Sequence, residues 1–221
     1  MKRPEQEKAT LVACLRELHL PTIRECFEEL ARQAEQETLS YERFLLTLVQ
    51  RECQVRRQHR IERCLRQSRL PAGKDLAGFD LKRLPAKVAR QVRTLLEGSF
   101  VDRRENVLAF GSVGSGKTHL LCALAQELIR QGRQVYFSTC SRLVQDLLAA
   151  KRDLKLSRLI QKLGRYEAVL IDDLGYVQQS REEMEVLFTL LAERYERGSV
   201  MITSNLPFSK WEAIFKDPMT T

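Results

Sequence analysis

The stretch "NVLAFGSVGSGKTHLLCALAQELIRQG", Asn106 to Gly132, decides how the rest of the chain is read. Its first apolar run, Val107 to Phe110, has the length and content of a buried strand. Gly111-Ser112-Val113-Gly114-Ser115-Gly116-Lys117-Thr118 follows and fits G-x-x-x-x-G-K-[ST]. After it, apolar residues recur at helical spacing to about Gln131. Each part of the octet has a physical task. The glycines let the backbone curl so that successive N–H groups point at phosphate oxygens. The following helix adds its positive N-terminal end. Lys117 can reach the β- and γ-phosphates, and the Thr118 hydroxyl can bind Mg²⁺. A glycine-rich turn that only caps a helix fits the same pattern. The strand before it and the helix after it favour the phosphate loop.

Working outward, the pattern alternates. "QVYFST" (134–139) reads as a second strand, followed by a helical region through Gly164. "AVLID" (168–172) is a third strand, "REEMEVLFTLLAERYE" (181–196) a helix and "SVMITS" (199–204) a fourth strand. Strands alternating with helices predict an α/β fold with a mostly parallel, helix-covered sheet. Asp172 ends the third strand, where a carboxylate can hold Mg²⁺ through water opposite Thr118. Asp173 is then placed to orient or deprotonate an attacking water. The competing reading of the pair is an acidic turn or helix cap. Asn205 follows the fourth strand. One extra strand (134–139) lies between the phosphate loop and the Asp-Asp strand, an arrangement typical of P-loop ATPases in which a further strand inserts between those two. The tip of the inserted strand would bring Asn205 near the γ-phosphate, where an amide can hold the lytic water. The competing reading of Asn205 is a turn residue before Pro207.

Residues 1–70 carry no strand signal. Leu11, Leu15 and Leu18 share a helical face, as do Ile23, Phe27 and Leu30. Pro21 suits a helix start, and Ser40 suits the N-cap of a third helix. "LPAGKDLAGFD" has the proline and glycine density of a connection. The expected organisation is a small helical domain over 1–70, a linker over 71–80 and the nucleotide-binding domain over 81–221.

The chain has 221 residues, 43% of them hydrophobic, which excludes wholesale disorder. No apolar run reaches the roughly 18–20 residues that span a bilayer. The start "MKRPEQEKAT" lacks the apolar core of a signal peptide, so a cytoplasmic location is expected. The six cysteines are scattered without a metal-ligand spacing and read as reduced packing thiols.

The formal net charge of +8 suits a polyanion, and its placement suggests two contact regions. Lys151, Lys155, Arg158, Lys162 and Arg165 recur at spacings of four and three, which on one helix makes a continuous basic stripe. Arg56, Arg60 and Arg63, with His59, line one side of the third N-terminal helix. Arginine suits phosphate through its two-donor fork, and the lack of neighbouring aromatics points away from base stacking. Backbone contacts to double-stranded DNA are therefore the reading. A solvated face is the rival for the stripe, and a protein-docking helix for the arginines.

The segments "ENVLAFGSVGSGKTHL", "YEAVLIDDLGY", "YERGSVMITSNLPFSKWEAIFKDP", "LAGFD" and "LHLPTIRECFEELARQ" resemble the IstB-type transposition helper ATPases. These are AAA+ proteins related to DnaC-type helicase loaders. The resemblance implies ATP and Mg²⁺ as ligands, Gly111 through Thr118 at the phosphates, Asp172 for magnesium, Asp173 for hydrolysis and Asn205 as a sensor. It also implies homo-oligomers that gather on target DNA and recruit or activate a transposase. Members of the family continue past "KDPMTT" into a segment carrying an arginine for a neighbouring subunit's ATP and a second sensor arginine. Hydrolysis by this chain alone is accordingly expected to be weak or lost. Arg194 and Arg197 are substitutes by position, but a solvated helix end is the first reading of both. A helicase loader is the alternative function. A small-molecule kinase is disfavoured because no arginine-rich lid lies between Asp173 and Asn205.

Overall fold

In the computed structural model, backbone is described for residues 2–175 and 180–211, with side chains from residue 5 onward. The "KDPMTT" end that figures in the resemblance lies outside the described residues. The first three helices are α1 (Lys2–Glu17), α2 (Pro21–Gln36) and α3 (Tyr41–Ser68). Pro21 opens α2, and the Ser40 hydroxyl accepts from the Arg43 amide at the start of α3. Leu15, Ile23 and Leu48 form a small core that Phe27, Leu30 and Phe44 flank.

Leu20, at the cap position of α2, has no side chain able to accept from the first amides. Glu52 of α3 supplies the acceptor from a distance. Its Oε2 accepts from the Thr22 and Ile23 amides at 2.9 and 3.1 Å, and its Oε1 from Arg56 Nε at 2.7 Å. Burial pushes the Glu52 carboxyl up, but Arg56 and the two amides outweigh burial and hold it below the usual range. Arg56 also donates to the His19 carbonyl.

The chain divides into a unit over 1–62 and another over 63–221. Within the second lie α4 (Ala86–Leu96), α5 (Ser99–Asp102), β1 (Val107–Phe110), α6 (Lys117–Arg130) and β2 (Val135–Thr139). Then come α7 (Cys140–Arg152), α8 (Leu156–Leu163), β3 (Ala168–Leu174), α9 (Arg181–Arg194) and β4 (Ser199–Ser204). The four strands are parallel in the order β1-β4-β3-β2. β3 and β4 are almost wholly buried, as strands covered on both faces are, with apolar residues at Ala168–Ile171 and Val200–Ile202. Leu143, Leu147, Leu187 and Leu190 of α7 and α9 belong to the same core as Val169, Ile171, Val200 and Ile202.

Two expectations are corrected here. The helical region after β2 is not one rod. α7 stops at Arg152, Leu154 takes a left-handed φ of 58°, and α8 starts at Leu156. The turn is closed by the Leu154 amide on the Lys151 carbonyl (3.1 Å) and the Lys155 amide on the Ala150 carbonyl (2.7 Å). Arg194 is not a solvated helix end. It is 3% exposed, and its guanidinium donates to the carbonyls of Leu163, Tyr166, Glu167 and Ser199. Burial pulls it down to about 10, so it stays charged at neutral pH. Arg197 is exposed and paired with Glu193.

Candidate nucleotide site

The loop from Gly111 to Gly116 joins the end of β1 to the start of α6. Gly114 and Gly116 have φ values of 77° and 88°, a region that side chains strain to enter. At Gly116 a Cβ would also stand 3.3 Å from the Phe79 ring. Lys117 folds back over the loop. Its Nζ donates to the Ser112 carbonyl at 2.8 Å and to Asn205 Oδ1 at 2.7 Å. The insertion of β4 between β1 and β3 is what carries Asn205 to the lysine.

Thr118 begins the helix beside the end of β3, and its Oγ1 donates to Asp172 Oδ1 at 2.7 Å. The pairing of β3 with β4 slips here. Ile171 faces Ile202 and Leu174 faces Ser204, so Asp172 and Asp173 together face Thr203 alone. This is a β-bulge, which re-aims side chains. Asp173 takes a φ of 60°, and its side chain is exposed while that of Asp172 is buried. Partial loss of solvent first, and then the neighbouring Asp172, push the Asp173 carboxyl above its ordinary value, while Lys117 and Lys74 oppose them.

Thr203 is a residue that the sequence reading missed. Its hydroxyl donates to Asp172 Oδ1 at 2.6 Å and accepts from the Asp173 amide at 2.9 Å. A threonine two residues before Asn205 becomes informative only once β4 is known to lie beside β3. Lys74 was missed as well, because it sits in a stretch that reads as a connection. The loop and Asp173 open on one cavity of about 430 Å³, lined by Lys74, Gly114, Gly116, Lys117, Thr118, Asp173 and Asn205, with Asp172 buried behind Thr118. Phosphate-loop amides, a lysine, a hydroxyl beside a carboxylate, a second carboxylate and an amide thus share one space.

The sequence pattern of the family described as "IstB-like ATP binding protein" matches residues 13–221. This chain belongs to the IstB-like family. An insertion sequence ATP-binding protein of Sinorhizobium fredii is 39% identical over 216 residues, covering 97% of this chain and 72% of that protein. The insertion sequence IS21 ATP-binding protein of Pseudomonas aeruginosa is 38% identical over 190 residues, covering 86% and 72%. Among solved structures, AMPPCP-bound DnaA from Aquifex aeolicus is similar with a TM-score of 0.59 at 20% identity, covering 69% of this chain and 48% of that one. The DnaC helicase loader is similar with a TM-score of 0.54 at 19% identity, covering 64% and 82%. These likenesses show the AAA+ fold.

In the IstB-like chain the basic residues of 151–165 are brought together by two helices. Lys155, Arg158, Lys162 and Arg165 line a concavity of about 690 Å³ beside the turn at Leu154. Lys151 is paired with Glu185 at 3.0 Å and Lys155 with Asp153 at 3.3 Å. Arg158, Lys162 and Arg165 are exposed and make no ion pair among the described residues. In the first unit Arg60 is exposed, and Arg56 is occupied with Glu52 and His19. Arg63, in the second unit, is exposed. No described helix is long and apolar enough to cross a membrane.

Proposed function

We propose that this chain binds and hydrolyses ATP, assembles on double-stranded DNA in its ATP-bound form, and recruits or activates a transposase there. The observation that carries the ATP part is the convergence of Lys117, Thr118, Asp173 and Asn205 on one cavity, with Asp172 bonded to Thr118 behind it. Family membership and the insertion-sequence relatives support the transposition part.

Arriving phosphates meet the loop amides of 111–116 and the N-terminal end of α6. Lys117 exchanges the Ser112 carbonyl and Asn205 for phosphate oxygens. Asn205, once released, holds the attacking water, and Asp173 takes its proton. A carboxyl raised above the usual range is the better proton acceptor for this purpose. Thr118 and Asp172 offer oxygen donors only, and these residues would hold Mg²⁺. The ion would supply neutralisation of phosphate charge.

DNA is taken by Arg158, Lys162 and Arg165 with Lys155, and by the α3 arginines Arg60 and Arg63. These contacts go to phosphates and carry little sequence preference. ATP shifts the chain toward assembly only if the assembled form binds it more tightly. Helicase loading gains no separate support, because the likeness to DnaC is one of fold.

Sizing of the particle with duplex DNA, with and without a non-hydrolysable ATP analogue, tests the reading. Growth only when both are present is the expected result, and Lys117→Ala should abolish it. A particle of one size under all conditions would overturn assembly.

A further inference from the structure

"LPAGKDLAGFD" (70–80) reads as a connection, yet the structure fastens its second half along α6. Gln126 Nε2 donates to the Lys74 carbonyl at 3.1 Å, and the His119 ring nitrogen meets the Asp75 carbonyl at 2.8 Å. Asp75 Oδ1 accepts from the Gly78 amide at 2.8 Å, tightening the bend. Phe79 then packs edge-on against His119, with centroids 5.3 Å apart, and closes on Gly116. The segment is a strap laid beside the phosphate loop.

The strap leaves one cation at the cavity. Lys74 is half-buried and lines it together with Lys117, Asp173 and Asn205. It makes no ion pair among the described residues. Lys117, by contrast, already has two acceptors. A triphosphate brings several negative charges, more than one lysine offsets. A lysine on a flexible stem is a mobile point charge suited to that task.

We propose that Lys74 is a second phosphate-binding lysine, delivered from outside the phosphate loop by the strap that Gln126 and His119 hold. This rests on the ATP reading above. The ligand class is a nucleoside triphosphate, met at its terminal phosphates, since the cavity Lys74 lines is also that of Asp173 and Asn205.

Titration of the full chain with a fluorescent non-hydrolysable ATP analogue tests it. Lys74→Ala should weaken binding roughly ten- to hundredfold, the range for one charge-assisted contact, and Lys74→Arg should restore most of it. Lys117→Ala serves as the reference and should lose binding altogether. Binding by Lys74→Ala within twofold of the parent, with Lys117→Ala inactive, overturns the proposal and leaves the ATP reading standing. Equal losses in Lys74→Ala and Lys74→Arg, accompanied by lower melting temperatures, also overturn it, because the side chain then only supports the strap. Full binding by Lys117→Ala overturns the ATP reading itself.

Discussion

Thr203 ties two carboxylate-bearing residues together with one hydroxyl: it donates to Asp172 and accepts from the Asp173 amide. Thr203→Val keeps the shape and removes both bonds. The expected cost is about 1–3 kcal/mol of stability, because the Asp173 amide and one carboxylate contact are left unmet. Hydrolysis should fall further than nucleotide affinity, since the affected groups are those that face the water. Denaturant melts and a steady-state phosphate-release assay check the two halves. Glu52 makes the same kind of argument in the first unit, where it caps α2 from α3. Glu52→Gln should cost about 1–3 kcal/mol at neutral pH. Glu52 titrates below the usual carboxylate range in the folded chain. Its contribution is therefore complete above the ordinary glutamate value and disappears as pH falls through the lowered one. Melts of parent and variant should diverge at pH 7 and converge in acid. The same Glu52 contact explains why Arg56 was legible as basic but not as a partner of His19: the α2–α3 pairing is a tertiary fact.

At the scale of elements, what could be read and what could not separate by range. β1, the phosphate loop and α6 declare themselves because an apolar run, a glycine pattern and a helical repeat stand in immediate succession. The break between α7 and α8 does not, because leucine is a good helix former and the apolar spacing continues past it. Only the carbonyls of Ala150 and Lys151 reveal the turn. Lys155, Arg158, Lys162 and Arg165 nonetheless line one concavity, so a salt titration tests them together. Arg158→Ala combined with Lys162→Ala should flatten the slope of log K against log[salt] by nearly two units; an unchanged slope excludes the concavity as a DNA contact. α9 gives the complementary case. Its last arginine is buried only because Gly198 leaves room: a Cβ there would stand 2.5 Å from the guanidinium. Arg194→Met should remove a donor from four carbonyls, of which those of Leu163 and Glu167 keep a backbone amide, and cost about 1–3 kcal/mol, seen as a shift of the urea midpoint. That burial also removes Arg194 from any role toward a neighbouring subunit's nucleotide.

For the whole molecule, charge and machinery are unevenly divided. Residues 1–62 contain eleven lysines and arginines and eleven aspartates and glutamates, so the excess of eight lies entirely in 63–221. Every group that lines the nucleotide cavity also lies in 63–221. A chain lacking residues 1–62 should therefore bind the ATP analogue within about twofold of the parent, while DNA affinity falls by what Arg60 contributes, since Arg63 is retained. Paired titrations of the shortened and full chains read both numbers. The order of the strands, which no single segment discloses, is what makes the site one place: β4 enters between β1 and β3 and sets Asn205 against Lys117. The hold that Asn205 and the Ser112 carbonyl keep on that ammonium has a consequence for selectivity. Lys117 is already engaged by two internal acceptors, so an anion must displace them to reach its ammonium. Inorganic phosphate would have to break those bonds for the reward of a single group, whereas a triphosphate offers a whole chain of oxygens in exchange.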